Sequence, residues 1–343
     1  MHLELIRNAN DWTSLGEEWN TLLLESHLNT PFQTLEFQRS WWKGLGGGEW
    51  TNAELFIVIA RGENSELRGI APLFYTEGKL LFIGSHEIAD YLDLIVRPVD
   101  HAEFCYQLVE FLTHHGDLRW NALELFNVPD NSKTPGLLET AARSNGLNFG
   151  TEQLKASPYI QVPASFQGFL ESLPSKQAHE MRRKLRRAAR NPAPLAVEIV
   201  GELSELKEGL EDFFTLMDKE ANKVAFLRRD GMRKQIENIA EAFFEAGWLQ
   251  LFFLKCGSDR IAAYMNFDYR DRIWAYNAGF NTEFAHLSPG WLLMAEMVKW
   301  CVANKREVFD FMRGAEDYKY RFGGINRYVN KVTIFKKQEG IQN

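Results

Sequence analysis

Cysteine is scarce in this sequence, and long apolar runs are missing from it. The 343 residues include three cysteines, Cys105, Cys256 and Cys301, which lie far apart and form no CxxC pair. So sparse a set argues against a disulfide framework and against a structural zinc site. No stretch reaches the roughly 18 apolar residues of a membrane-spanning helix, and the first residues, MHLELIRNANDW, lack the apolar core of a secretory signal. A location in the reducing cytoplasm is therefore expected.

Several familiar catalytic signatures are also absent. The chain has no P-loop, no GxGxxG turn and no Ser–His–Asp elbow, and its histidines do not cluster. His114 and His115 are adjacent in a predicted helix, so their rings point about 100° apart and make a poor metal pair. The net charge of −7 argues against a general nucleic-acid binder. Neither a metal nor a resident cofactor is expected.

Aromatic residues, by contrast, are abundant, with 10 Trp, 10 Tyr and 25 Phe in a chain long enough for two domains. Six recur at helical spacing and are predicted to lie in the core, namely Trp12, Trp19, Trp41, Phe213, Phe243 and Phe244. Five others fall on predicted strands or loops and are predicted to lie near a working cleft, namely Tyr91, Trp274, Tyr276, Tyr318 and Tyr320.

The two halves of the sequence repeat one order of elements. LFIVIARGENSELRGIAPLFY, which begins at Leu55, aligns with LQLFFLKCGSDRIAAYMNFDY, which begins at Leu249. Each segment reads as a hairpin, and each is followed by a third strand ending in glycine, a helix and a further strand. This order predicts an α/β fold with mixed sheets and helices on their faces. The predicted domains are residues 1–155 and 156–343.

Periodicity places the individual elements. Helices are predicted over residues 12–25, 31–45, 101–115, 211–221, 231–246 and 291–304. Strands are predicted over residues 55–60, 69–75, 79–83, 120–126, 249–254, 261–268, 272–278 and 307–312.

One candidate site lies where the strand ending in Tyr276, Asn277 and Gly279 leads to the helix at Trp291. Ser288 is a suitable N-cap, Pro289 suits the first helical turn, and Gly290 allows a ligand to approach the backbone. A helix start with free N–H groups is an anion site. The alternative is a well-capped helix without a ligand.

A second candidate follows the strand that contains Asp310. An acid in an apolar strand is costly unless paired, so Asp310 is predicted to pair with a cation or a backbone donor. The residues Arg313, Tyr318, Lys319, Tyr320 and Arg321 cluster just beyond it. Strand ends of open sheets bind ligands, although a salt-bridged structural corner is the alternative.

Two further segments carry suitable chemistry. Asp90, Tyr91 and Asp93 follow a strand of the first half and are candidates to bind hydroxyls or an amine, or else form a surface turn. The run from Arg182 to Arg190 holds six cations, including Arg183 and Arg187. It is either a solvated helix face or a grip on an anionic substrate such as a diphosphate.

Taken in order, these motifs resemble the GNAT superfamily of acyltransferases, in particular the CelD-like group of cellulose biosynthesis, which is related to the FemAB transferases. The residues that carry the resemblance are Ile261-Ala262-Ala263, Tyr276-Asn277-Ala278-Gly279-Phe280, Leu287-Ser288-Pro289-Gly290 and Phe309-Asp310-Phe311-Met312-Arg313-Gly314; in the first half they are Pro31-Phe32-Gln33-Thr34, Trp41-Trp42, Gly69-Ile70-Ala71-Pro72-Leu73 and Asp90-Tyr91-Leu92-Asp93.

The resemblance implies two GNAT-like halves, with acyl-CoA bound as donor substrate in the second. The implied donor site contains Tyr276, Asn277, Gly279, Ser288, Gly290 and Trp291. The implied acceptor site contains Asp90, Tyr91, Asp93, Arg183, Arg187 and Arg313. The acceptor would be a small molecule, a sugar, or a polysaccharide or cell-envelope precursor, and the setting would be exopolysaccharide biosynthesis.

In this reading Asp310 or Asp90 removes the acceptor proton, backbone N–H groups or Lys319 stabilise the oxyanion, and Tyr318 or Tyr276 protonates the thiolate. Replacing Lys319 or Asp310 is then expected to remove turnover while the fold persists. Two alternatives remain. A FemAB-like enzyme would use aminoacyl-tRNA and the basic run. A non-catalytic binding subunit would account for the lack of a Gln/Arg-x-x-Gly-x-Gly/Ala turn between Asn281 and Gly290.

Overall fold

The computed structural model describes residues 1–84, 87–115, 120–219 and 221–336. These residues form two compact units. Unit 1 comprises Met1–Lys155 together with the chain from Tyr328 onward, and unit 2 comprises Ala156–Arg327. The helices of the described part are all too short or too polar to cross a bilayer.

Unit 1 is a mixed sheet with helices against it. Before the chain enters unit 2, the elements of unit 1 are β1 (His2–Ile6), α1 (Ala9–Ser14), α2 (Gly16–Glu25), α3 (Leu35–Gly44), β2 (Glu54–Arg61), β3 (Leu67–Thr76), β4 (Lys79–Phe82), β5 (Ile95–Val96), α4 (His101–His114), β6 (Ala122–Pro129), α5 (Thr134–Ser144) and β7 (Asn148–Ala156). A 3₁₀ turn over Pro31–Gln33 precedes α3.

Unit 2 repeats the design. Its elements are β8 (Tyr159–Gln161), α6 (Phe166–Ser172), α7 (Ser175–Ala188), β9 (Leu195–Ile199), α8 (Leu203–Met217), α9 (Ala221–Leu227), α10 (Met232–Glu245), β10 (Leu249–Cys256), β11 (Asp259–Tyr269), β12 (Arg272–Phe280), α11 (Pro289–Ala303), β13 (Val308–Asp310) and α12 (Asp317–Arg321). A 3₁₀ turn over Thr282–Leu287 joins β12 to α11. The last strand of the described residues, β14 (Tyr328–Phe335), returns to unit 1.

Strand pairing confirms the repeat and the mixed α/β fold. In unit 1, β2, β3 and β4 form an antiparallel meander, and β6 then pairs parallel to β4. In unit 2, β10, β11 and β12 form the same meander, and β13 pairs parallel to β12. The helix between the two parallel strands is α4 in unit 1 and α11 in unit 2. Five elements therefore recur in one order with one pairing scheme.

The predicted second domain, 156–343, needs a correction at its end. The sheet of unit 1 has the order β1-β2-β3-β4-β6-β14-β7, so β14 lies between two strands of the first half. Val329, Val332 and Ile334 are buried on this strand. These side chains are buried when β14 pairs with β6, and the chain therefore returns to unit 1 after Arg327. Residues 337–343 of the predicted domain lie outside the described part of the chain.

Backbone conformation explains where other predicted elements differ. The helix predicted over 12–25 is two helices, because the chain turns at Leu15 and Gly16, where φ is +41°. The strand predicted over 307–312 is shorter because Met312 adopts a φ of +63°. The helix predicted over 211–221 begins earlier, at Leu203, and ends at Met217; residue 220 of that prediction lies outside the described residues.

Most of the aromatic residues predicted to form the core do so. Trp12, Trp19, Trp41, Phe213 and Phe243 are buried, and Phe244 is half-buried. In unit 2, α11 packs its apolar residues against the sheet, with Leu293, Val298 and Cys301 fully buried. This packing fixes the position of the N-terminus of α11 relative to β12.

Candidate functional site

Strands β12 and β13 run side by side only briefly. Their parallel pairing covers Arg272, Ile273 and Trp274, whereas β12 continues to Phe280. Beyond this point β13 ends and its chain turns away. Along its other edge β12 carries a bulge, because Met265 faces Asn277 while the next residue, Asn266, faces Ala275. Tyr276 is the additional residue. The sheet thus opens beside a strand whose ladder is locally distorted.

Helix α11 begins one 3₁₀ turn after this strand. Ser288 stands at the N-cap position with φ +59° and ψ +55°, but its side chain does not cap the helix. The Ser288 hydroxyl instead accepts a hydrogen bond from Arg187 Nη2 at 3.2 Å. The first-turn amides of Gly290 and Trp291 have no intrahelical acceptor, and a Cβ on Gly290 would meet nothing nearer than Phe280 at 3.9 Å.

A second cation lies at the same helix start. Lys184 Nζ is 3.9 Å from the ring centroid of Trp291 and 3.5 Å from Glu180 Oε1. Burial lowers the pKa of Lys184. Lys184 precedes Arg187 by three positions, so the two side chains leave the same side of α7. The prediction from sequence included Lys184 only as one of the six cations of the basic run, although this spacing would have singled it out beside Arg187.

The structure therefore brings together four predicted residues, Ser288, Gly290, Trp291 and Arg187, and adds Lys184. We call this set the α11 anion site. A helix N-terminus carries partial positive charge, and two cations next to it suit a phosphate or diphosphate.

Arg183 is not part of the α11 anion site. Its side chain is 51% exposed and is paired with Glu180 on the same helix, with Nη2 and Oε1 3.0 Å apart. It projects from α7 about one turn away from Arg187 and faces solvent. The role predicted for Arg183 in binding substrate does not agree with this position.

Asp310 is a buried structural charge. Its Oδ2 lies 3.3 Å from Arg272 Nη1 and 3.3 Å from Arg327 Nη2, and its Oδ1 accepts the amide of Met312 at 3.0 Å. The predicted pairing is confirmed, for both a cation and a backbone donor. A fully buried carboxylate held by two guanidinium groups has a structural role, and its predicted role as general base stays a prediction.

Lys319 also has a structural role. Its buried ammonium donates to the carbonyls of Met312, Arg313 and Gly314 at 3.0, 2.8 and 3.1 Å, and Glu316 Oε2 lies 2.9 Å away. An ammonium has three N–H donors, and the turn after β13 takes all of them. Lys319 therefore holds this turn, and its predicted role in stabilising an oxyanion stays a prediction.

Two neighbours of this turn keep their predicted positions near the strand end. The Tyr318 ring is half-buried, with its centroid 6.4 Å from that of Phe311. Arg313 is half-buried in the turn that Lys319 holds. Their roles stay predictions.

The close approach that requires Gly279 is made by protein and not by a ligand. A Cβ at Gly279 would come within 2.5 Å of the Met217 backbone nitrogen and 2.6 Å of the Leu216 carbonyl carbon. The end of α8 therefore occupies the space that the prediction reserved for a donor. Trp274, predicted near a cleft, is 3% exposed and belongs to the core.

The segment containing Asp90, Tyr91 and Asp93 fills the opening of the first sheet. The amide of Leu92 donates to Asn127 O at 3.1 Å, and Asn127 Nδ2 donates to Ala89 O at 2.8 Å. Asp90 and Asp93 are 9% and 2% exposed, and Tyr91 is fully buried. This segment lies beside β6 and its three side chains are buried, so their predicted role in binding an acceptor gains no support here and stays a prediction.

The start of α4 in unit 1 carries its own charge. Asp100 stands at its N-cap position, with Oδ2 2.8 Å from Arg97 Nε and Oδ1 3.4 Å from Arg68 Nη2. A carboxylate and two arginines thus occupy the place that corresponds to the α11 anion site. Of the two repeated halves, the second has the helix start suited to an external anion.

Comparisons with known proteins concern the fold of the chain. Residues 175–320 match a family model described as "Acetyltransferase (GNAT) domain". The fold is similar to that of FemX, with a TM-score of 0.66 and 13% identity over 97% of both chains. It is also similar to that of a conserved protein of unknown function from Bacteroides thetaiotaomicron VPI-5482, with a TM-score of 0.60 and 12% identity over 98% of this chain and 100% of that one. No curated protein matches the sequence.

Proposed function

We propose that unit 2 binds an acyl-CoA thioester and transfers its acyl group to an amine or a hydroxyl. The observation that carries the proposal is the parting of β12 and β13 next to the α11 anion site. The strand provides an extended backbone for an elongated ligand, and the helix start provides charge for its phosphates. The GNAT model match over residues 175–320 covers both features.

The donor's diphosphate is placed at the first amides of α11. Arg187 is already oriented there by Ser288, with 3.2 Å between Nη2 and Oγ, and Lys184 lies over Trp291. The rest of the donor follows β12 toward Asn277 and Tyr276. Acyl-CoA is the donor substrate in this proposal, and no resident cofactor is required.

Transfer forms a bond from the acceptor nitrogen or oxygen to the thioester carbon and breaks the bond from that carbon to sulfur. The acceptor loses a proton and the leaving thiolate gains one. Because Asp310 and Lys319 are occupied, we assign stabilisation of the oxyanion to backbone N–H groups of β12 near its bulge. Tyr318, on the short helix after β13, is assigned to protonate the thiolate. Such an acid contributes about 10²–10⁴-fold to the rate.

We infer that the acceptor is a sugar or a precursor of a polysaccharide or cell envelope, following the resemblance to the CelD-like group. Asp90, Tyr91 and Asp93, the residues of unit 1 predicted to bind the acceptor, are buried, so the structure does not support that role for them. Arg313 remains the candidate acceptor-binding residue in unit 2.

Calorimetric titration with acetyl-CoA and with longer acyl-CoAs tests the proposal. Saturable heat and a rise in melting temperature are expected, with free CoA binding comparably because its phosphates are the same. Absence of both signals for every acyl-CoA would contradict the proposal. Binding without turnover on any amine or sugar would favour the non-catalytic subunit, and binding of aminoacyl-tRNA alone would favour the FemAB-like donor.

A further inference from the structure

A second concave surface in unit 2 is separate from the α11 anion site. It is a groove of about 550 Å³ between the end of α7, the edge strand β9 and the exposed side of α11. Its apolar lining includes Leu185, Ala188, Leu195, Val197, Leu254 and Leu292. At 100° per residue, Leu185 and Ala189 lie on a different face of α7 from Arg187, and Ala188, four positions after Lys184, lies at the border between the two faces. The groove has the volume of a typical ligand site.

The groove is open along an apolar strand edge. Val197 pairs with Leu254 and Ile199 with Phe252, so these side chains face the same side of the sheet. Val197 and Ile199 are each 39% exposed. An edge strand with exposed aliphatic side chains is a liability that proteins ordinarily cover or charge. The exposed aliphatic side chains of β9 are explained if the apolar part of a bound ligand covers them.

The rim of the groove is positively charged. Arg182 precedes the lining residue Leu185 by three positions, and Arg186 precedes Ala189 by three, so each arginine neighbours the groove on α7. Both are exposed, and no carboxylate of the described residues lies within ion-pair distance of either. On the opposite wall, Lys299 is paired with Glu296 at 2.6 Å, which cancels their charges. The groove thus carries net positive charge in a chain of net charge −7.

We propose that this groove binds an anionic lipid, with an acyl chain on the aliphatic floor and the phosphate at Arg182 and Arg186. Aliphatic surface beside basic side chains matches the two parts of such a lipid. A site for single-stranded RNA ordinarily presents exposed aromatic side chains on which bases stack. The exposed apolar residues of this strand are Val197 and Ile199, which favour a lipid over RNA. The proposal does not depend on the donor or the reaction.

Co-sedimentation of the full chain with vesicles tests the proposal. Binding is expected with phosphatidylcholine–phosphatidylglycerol vesicles and not with pure phosphatidylcholine. The double variant Arg182→Glu/Arg186→Glu should bind at least about 30-fold more weakly, at roughly fivefold for each arginine charge removed. Lys207→Glu/Lys234→Glu, which changes the charge equally on other helices of unit 2, should bind as the native chain does.

A second variant separates the groove from charge alone. Val197→Glu places a carboxylate on the floor while keeping both arginines, and Val197→Ser serves if the first variant does not fold. Either should lose vesicle binding, and monomeric lysophosphatidylglycerol should compete where inorganic phosphate does not.

Three outcomes would overturn the assignment. Vesicle binding that is insensitive to Val197 would show a purely electrostatic surface. Competition by inorganic phosphate, or tighter binding of an RNA oligonucleotide that the Val197 variants leave unchanged, would show that the arginines serve another anion. Retained acyl-CoA binding in Arg182→Glu/Arg186→Glu would separate this result from the fate of the donor proposal.

Discussion

Arg187 and Ser288 are joined by a hydrogen bond of 3.2 Å between Nη2 and Oγ, across 101 positions of sequence. The bond orients a cation at the first turn of α11. Arg187 Nε is buried and has no hydrogen-bond partner among the described residues. A buried donor without an acceptor is costly, and an incoming phosphate would remove that cost.

Replacing Arg187 with alanine is expected to weaken acyl-CoA binding about 10- to 100-fold, because one charge-assisted hydrogen bond contributes about 1.5–3 kcal/mol. Arg183→Ala is the matched control, since Arg183 lies on the same helix and faces solvent. Calorimetric titration of both variants measures the difference. Equal affinities would remove Arg187 from the donor site.

Replacing Lys319 with methionine is expected to lower the free energy of unfolding by about 3 kcal/mol, because three carbonyls lose their donor in a buried turn. Urea denaturation measures the loss, and Lys234→Met, on an exposed side chain, should change stability little. Native stability combined with lost turnover would restore the catalytic role of Lys319.

Asp310→Asn is expected to cost about 1.5–3 kcal/mol, since two half-buried guanidinium groups then lose their charged hydrogen-bond acceptor. Asp317→Asn is its control. The Asp317 side chain is 79% exposed in its ion pair with Arg321, and exposed pairs contribute about 1 kcal/mol or less. A comparison of the two melting temperatures is decisive, and equal values would contradict the structural assignment of Asp310.

Asp93 and His101 in unit 1 should make opposite contributions to the pH dependence of stability. Burial raises the pKa of Asp93 to about 6, against hydrogen bonds from Ser132 and Thr134 that lower it. Burial, together with the charges of His27 and Lys133, lowers the pKa of His101 to about 4. The Thr134 hydroxyl joins the two, 2.9 Å from His101 Nε2 and donating to Asp93.

The folded state holds a proton on Asp93 that the unfolded chain releases above its ordinary pKa of 3.8, so this contribution falls as pH rises from about 4 to 6. The His101 contribution rises from about pH 4 to its ordinary pKa of 6.5. Urea denaturation of Asp93→Asn should therefore show stability increasing over this range more steeply than in the native chain. In His101→Gln, stability should increase with pH less steeply than in the native chain. Stability profiles that run parallel with pH in all three proteins would rule out the opposite contributions of Asp93 and His101.

Local patterns predicted the hairpins and the repeated order, because alternation and turn residues act over a few positions. Strand β14 was missed because its place between β6 and β7 depends on pairing with residues some 200 positions away. The contacts of Lys319 in the turn after β13 were not predicted, for a related reason. A lysine that donates to carbonyls five to seven residues earlier requires the positive φ of Met312 and Gly314, which composition does not reveal.

The sequence predicted which segments carry charge, but not which way the individual charged side chains point or with which residues they pair. The basic run was found, but the packing of α7 on α11 decides that Lys184 and Arg187 turn inward while Arg183 turns outward. The pairing of Asp310 was foreseen from the cost of burying a charge. Its partners Arg272 and Arg327 were not, since each comes from a different part of the fold.

The late return of β14 has a consequence for biosynthesis. A ribosome releases the chain from its N-terminus, and domains ordinarily fold in that order. Here the sheet of unit 1 lacks an interior strand until residues 328–335 emerge, whereas every residue of unit 2 is already synthesised. Unit 2 is therefore able to complete its fold first, while unit 1, most of which is made earlier, keeps the edges of β6 and β7 unpaired until residues 328–335 have been synthesised.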